Sequence, residues 1–435
     1  MSTVRFLRRL LWVTLTLVSA FASSPGIGQP LPSAPPDAVG LSKSKISLFT
    51  GELRRRVEAK ELPGAVLMIV RNGKVAAHEA IGFQDREKAI PMRPDSIFRI
   101  ASMTKPIISV GAMILAEEGK LFLSDPVSKF LPEFKDLQVA VVKSTPDGKS
   151  ELVLEPVKRE MTIQDLLRHT AGLTYGQFDK TPVDEMVLKA GVLNRDQTLA
   201  ELVTKLSKLP LKHQPGTTWD YSVATDVLAR VIEVVSGIAI DDFIRGRVTE
   251  PLKMRDTGFW VEGNKLDRMA QPQLNPTTGK PFFDRPVDSK PMLLSGGGGM
   301  VSTAQDYSRF CQFLLNAGEL DGTRLLSRKS IELMTANHLP EGTLYTDTVR
   351  YRWGNLAPRM DSGMGFGLGF AVRLDAGRSS LPGSVGEFWW DGAFGTNFVV
   401  DPKERMITIL LTQQPTELSH YLALMRQMAN AAIVK

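Results

Sequence analysis

Strand patterns stand at both ends of this 435-residue chain with helical patterns between them, and that distribution restricts the fold more than any other feature. Residues 65–71 and 74–81 read as two strands joined by Asn72-Gly73, the pair a type I′ hairpin turn favours because both central residues take positive φ. At the far end, residues 367–374, 385–390, 396–400 and 406–412 read as strands, followed by a helix over 418–432. Short turns join the last three strands, so they should pair antiparallel. The two groups are expected in one sheet built from both ends of the chain, with the helical middle as a large insertion.

Within that middle, residues 107–116 are almost continuously apolar. They are too short to span a bilayer and fit a helix buried on all sides. Helices are also expected over 46–59, 163–169, 198–206 and 221–235, and a hairpin over 137–142 and 151–154 through Thr145-Pro146-Asp147-Gly148. Ser302-Thr303-Ala304-Gln305 reads as a capping box, serine bonding forward and glutamine reaching back. The helix it opens repeats Tyr307, Phe310, Cys311 and Leu314 on one stripe, which makes the single cysteine a core residue rather than a nucleophile. One cysteine also excludes a disulfide framework and any cysteine-only metal site, while 43% hydrophobic residues exclude wholesale disorder.

The formal charge of +6 would suit nucleic acid only if it were clustered, and much of it lies at the N-terminus. Arg5, Arg8 and Arg9 precede a mostly apolar stretch over 10–22 that ends in Ala20-Phe21-Ala22. Residues 1–22 therefore read as a secretory signal peptide, with an uncleaved signal anchor as the alternative; Arg8-Arg9 in this context favours ordinary secretion over twin-arginine export. Cleavage removes three arginines and takes the charge to +3. No later basic run supports nucleic-acid binding. The expected product is periplasmic or secreted, with no stable membrane insertion after cleavage. The sequence does not determine its oligomeric state.

Chemistry is concentrated at Ser102-Met103-Thr104-Lys105, at the entrance to the apolar helix. Residues three apart share a helix face, so the lysine amine can meet the serine hydroxyl. A base at that distance is required because a free serine is a weak nucleophile, and a helix N-terminus favours negative charge developing on a substrate. The spacing alone is common: Ser42-x-x-Lys45 also matches and is read as a cap on the first helix. No Gly-x-Ser-x-Gly and no His-Glu-x-x-His occurs, which disfavours an α/β-hydrolase triad and a zinc hydrolase. His169 is read as a structural hydrogen-bonding residue. The glycines at 296–299 lack the Gly-Lys-Ser/Thr of a phosphate loop. No cofactor and no metal is implied.

Arg99-Ile100-Ala101-Ser102-Met103-Thr104-Lys105 resembles the nucleophile segment of the serine β-lactamase and penicillin-binding protein superfamily. The segment 162–173, Gln214-Pro215-Gly216 ahead of Tyr221-Ser222-Val223, the segment 297–304, and Trp390-Asp391-Gly392 follow in the order of its class C-like branch. The resemblance covers roughly residues 40–430. It implies an α/β (α+β) fold, with an antiparallel sheet flanked by helices, an all-helical domain and an active site between them. The division expected is signal peptide 1–22, extended leader 23–40 and a hydrolase domain 41–435, its sheet part about 41–100 and 300–435 and its helical part about 101–299.

By the same resemblance Ser102 is the nucleophile, Lys105 its partner and Tyr221 the general base or a member of the proton relay. The backbone N–H groups of Ser102 and Ala393 would form the oxyanion hole, and Trp390, Asp391, Gly392 and Val223 would meet the substrate. Trp390 stands where the superfamily commonly has the lysine of Lys-Thr-Gly, and Val223 replaces the asparagine of Tyr-x-Asn. Both losses disfavour anionic β-lactams and fit a neutral small-molecule ester, as in the family VIII carboxylesterases, although Asp391 departs from their Trp-Gly-Gly and leaves the local charge open. Either Trp389 or Trp390 could line the acyl site, since adjacent strand residues face opposite ways. The activity expected is hydrolysis of short- to medium-chain carboxylic esters. β-Lactamase, D-amino-acid peptidase or acyltransferase activity would use the same residues, and a non-catalytic binding or sensor protein is the alternative from another class.

Overall fold

The computed structural model describes residues 30–435 apart from 283, 284, 348 and 350–352, so the expected signal peptide and the first part of the expected leader lie outside the described residues. The main sheet has eight strands: β1 (Gly64–Arg71), β2 (Lys74–Asp85), β3 (Ile90–Pro91), β4 (Met364–Phe366), β5 (Ala371–Arg373), β6 (Phe388–Gly392), β7 (Thr396–Asp401) and β8 (Met406–Thr412). Their order across the sheet is β4-β5-β6-β7-β8-β1-β2-β3. The first and last long strands pair antiparallel at its centre, Ala65 opposite Thr412 and Arg71 opposite Met406. Asn72 and Gly73, with φ of 54° and 72°, make the expected turn between β1 and β2. Every residue of β1 and of β8 is buried, so both faces of the sheet's centre are covered.

Helices α1 (Lys43–Glu58) and α5 (Leu418–Asn430) pack on each other and on the sheet, and α4 (Ala304–Leu315) packs on β1, β7 and β8. Ser42 caps α1, its side chain accepting from the Lys45 backbone N–H at 3.3 Å. Along the chain, the helical part lies between the strands that form the two halves of the sheet. Its central α2 (Thr104–Glu117), buried throughout from Thr104 to Leu115, packs against α3 (Ala224–Ser236). The later part of the leader lies along the sheet: Ala34 N–H donates to the Val75 carbonyl at 3.0 Å.

Three local readings are corrected. The apolar run 367–374 is not one strand; Gly367 to Phe370 turn between β4 and β5, and Phe366 pairs with Ala371. The expected capping box gives way to a simple cap one residue on: Ser302 pairs with Phe98 in a short ladder, and Thr303 is the N-cap, accepting from the Asp306 N–H at 3.1 Å. A strand partner for Ser302 holds it extended and moves the helix start on. Tyr221 precedes its helix rather than opening it, since α3 begins at Ala224. Cys311 is fully buried, within the stripe that placed it.

Candidate active site

The nucleophile segment is held by the short ladder between Phe98–Arg99 and Val301–Ser302. Beyond it Ile100 N–H donates to the Met300 carbonyl at 3.1 Å, and Met300 N–H donates to Thr104 Oγ1 at 3.0 Å. Ala101 takes a left-handed φ of 43°, costly for a residue with a Cβ, and turns the chain through a short 3₁₀ segment into α2. Ser102 therefore stands at the N-terminus of a buried helix, with Lys105 one turn on. Gly392 admits the sheet to the same place: a Cβ there would lie 2.3 Å from the Ile100 carbonyl oxygen and 2.2 Å from Thr396 Oγ1. That close approach brings the β6–β7 turn, with Ala393, beside the nucleophile segment.

Lys105 is 1% exposed and its Nζ donates to three oxygens: Ser102 Oγ at 3.3 Å, Tyr175 OH at 2.9 Å and the Gly297 carbonyl at 2.5 Å. The same nitrogen lies 4.5 Å from the centre of the Tyr221 ring, a cation–π contact. Trp390 Nε1 donates to Tyr221 OH at 3.3 Å.

Aromatic groups fix the Tyr221 ring. Trp219 stacks at 6.2 Å, Trp353 meets it edge-on at 5.3 Å and Trp390 lies at 5.4 Å. His169, fully desolvated and facing the Lys105 charge, has its pKa driven well below the ordinary imidazole value. It is therefore neutral, and its Nδ1 accepts from the Ser222 backbone N–H at 3.4 Å.

Ser102, Tyr221 and Ala393 line a cleft of about 620 Å³, walled also by Phe178, Met292 and Phe394. That volume suits a small-molecule ligand. Trp390, Asp391 and Val223 are buried and, with Gly392, lie behind this wall. Asp391 instead accepts from Trp353 Nε1 at 2.9 Å, so its carboxylate anchors a ring of the Tyr221 cage. Trp389 is buried with Arg426 over its ring at 4.9 Å. Neither tryptophan of the pair faces the cleft.

Two residues of the site were not singled out by the sequence reading. Tyr175 lies two positions beyond the recurrent segment 162–173, where no motif marks it. Asp226, in the first turn of α3, accepts from Ser295 Oγ at 2.6 Å and from the Gly297 N–H at 3.0 Å, holding the residue whose carbonyl accepts from Lys105. Burial raises its pKa against the pull of these bonds. Among the described residues no group of three His, Cys, Asp or Glu side chains could hold a metal, and no helix is long and apolar enough to cross a membrane.

The chain matches the family model described as Beta-lactamase over residues 49–432. Esterase EstB of Burkholderia gladioli is 31% identical over 404 residues, covering 88% of this chain and 92% of the esterase. Protein Rv1367c of Mycobacterium tuberculosis is 36% identical over 378 residues, covering 84% of this chain and 90% of that protein. Among solved structures, EstCE1, described as a hydrolase with promiscuous acyltransferase activity, superposes with a TM-score of 0.72 at 27% identity over 88% of this chain and 98% of its own.

Proposed function

Because the chain belongs to the beta-lactamase family, we propose that it is a serine esterase that cleaves short- to medium-chain carboxylic esters through an acyl-enzyme on Ser102. One observation carries this reading: the Lys105 ammonium joins Ser102 Oγ and Tyr175 OH at 3.3 and 2.9 Å, beneath Tyr221 and at the floor of an open cleft. Ser102 Oγ attacks the ester carbonyl and its proton passes to Tyr221, whose ionised form Lys105 and Trp390 stabilise. The N–H groups of Ser102 and Ala393 hold the oxyanion. Tyr221 returns the proton to the departing alcohol. Water then attacks the acyl carbonyl by the same route and releases the acid, restoring Ser102.

The choice of an ester over a β-lactam rests on Trp390, which occupies the position of the superfamily's carboxylate-binding lysine and spends its N–H on Tyr221. The esterase name of the Burkholderia relative is consistent with it. Residues 1–22 are proposed to direct export, so the enzyme would meet its substrate outside the cytoplasm. Transfer of the acyl group to an alcohol in place of water is the second reading, favoured by a cleft of about 620 Å³ that can admit an acceptor beside the acyl chain.

A fluorophosphonate should label Ser102 and abolish turnover of p-nitrophenyl acetate and butyrate. Added butanol should divert part of the acyl product into butyl ester if transfer competes. Nitrocefin turnover far above ester turnover would replace the esterase reading with a β-lactamase.

A further inference from the structure

Arg285 lines the Ser102 cleft, and no carboxylate is among its hydrogen-bond partners in the described residues. Its Nη1 donates to the Gly298 carbonyl and its Nη2 to that of Met300 at 3.3 Å. Two of its five N–H groups are so used, both on uncharged oxygens. Nearby charges add to the strain. Arg99 Nε donates to the Arg285 carbonyl at 2.8 Å, and Arg195 lines the same cleft. Burial, with the Arg195 and Arg99 charges, lowers the Arg285 pKa to about 9. The acids among the described residues of the cleft do not answer this charge. Asp226 is committed to Ser295 and Gly297, and Asp196 is exposed.

We propose that Arg285, with Arg195, forms an anion subsite in the Ser102 cleft, and that the esters this enzyme prefers carry a carboxylate. The inference rests on the esterase reading above and names its substrate class. Gly298 follows Gly297, the residue whose carbonyl receives Lys105, so the guanidinium stands one peptide unit from the proton relay. The place of the absent lysine at Trp390 stays uncharged; the cation here comes from a different element, the loop that precedes Ser295, and it revises the neutral ester expected from the sequence to one that carries its carboxylate elsewhere. A guanidinium offers a planar fork that matches a carboxylate in two parallel hydrogen bonds. An anion there would also relieve the mutual repulsion of Arg285, Arg195 and Arg99, which gives like charges gathered around a cleft a function.

The test compares charged esters with neutral partners of similar size, in two arms. With the charge on the acyl side, mono-4-nitrophenyl adipate is set against 4-nitrophenyl hexanoate. With the charge on the alcohol side, the butyryl ester of 4-hydroxybenzoate is set against that of its methyl ester. In at least one arm kcat/KM should favour the charged ester by about tenfold, the scale of one charge-assisted pair, and that arm locates the carboxylate. R285Q should bring the ratio close to one and R285K should retain part of it. Salt should reduce the wild-type ratio. Because Arg285 also holds Gly298, the ratio is read rather than the absolute rate, and R195Q, altered on an exposed side chain, should lower it about threefold should R285Q not fold. A wild-type ratio of one or less in both arms overturns the inference, as does a ratio that neither R285Q nor R195Q changes. Fluorophosphonate labelling of the same samples separates the two readings: labelled Ser102 without charge preference overturns the subsite alone, and unlabelled Ser102 overturns both.

Discussion

Tyr221 takes a hydrogen bond from Trp390 and has the Lys105 ammonium 4.5 Å from its ring centre, so its hydroxyl is the group whose removal costs most for the least change in packing. Tyr221→Phe should lower kcat for p-nitrophenyl butyrate by at least ~100-fold, with a melting temperature close to that of the parent. Tyr175→Phe removes an acceptor of Lys105 and should cost about tenfold; equal losses in the two variants would mean that the tyrosines share the proton rather than divide the work. Ser102, Lys105 and Tyr221 were legible in the sequence because local spacing and ordered motifs mark them. Tyr175 and Asp226 were not, because their partners lie 70 and 71 residues away and only the folded chain supplies them. Asp391 was legible as an oddity, and its partner Trp353 explains it: the carboxylate supports an aromatic cage instead of charging the pocket.

At the scale of elements, two buried acids govern stability. Asp306, in the first turn of α4, accepts from the Asp256 N–H at 2.7 Å and from Thr257 Oγ1 at 2.9 Å. Burial raises its pKa to about 7. The folded form thus holds a proton that the unfolded chain gives up near pH 4, so the stabilisation linked to that proton is full below about pH 4 and is lost as pH rises toward 7. Urea titrations at pH 5 and pH 8 should show the parent losing more stability between these values than Asp306→Asn; equal losses would remove Asp306 from the titration. Glu387, just ahead of β6, accepts from Arg373 Nε at 2.8 Å and from Arg426 of α5, and all three side chains are buried. Glu387→Gln would leave two buried guanidinium groups without their counter-charge and should cost about 3–5 kcal/mol in the same measurement. The capping box at 302–305 was misplaced for a related reason: the local pattern holds the cap chemistry, but the ladder to Phe98 decides which residue stays extended.

For the whole molecule, the sheet closes only when the last strands arrive. β8 lies between β7 and β1, so a chain ending at Asp401 should show no cooperative unfolding transition by circular dichroism. The closing of one sheet by both ends of the chain was legible, because turn chemistry and apolar runs mark strands locally and the grouping leaves few ways to pair them. What was not legible is how the nucleophile segment, the glycine turn at 296–299 and the β6–β7 turn converge. That convergence depends on close backbone approaches such as Gly392 against Ile100, which no pattern along the chain records. The proposed acyl-enzyme on Ser102 depends on that convergence. The most direct test of that claim is acid quenching during steady turnover of p-nitrophenyl butyrate, followed by peptide mapping with mass spectrometry. The account predicts one butyryl group per chain, carried on Ser102 and absent from Ser102→Ala. Turnover with no butyryl group on any residue, or with the group on a residue other than Ser102, would contradict it.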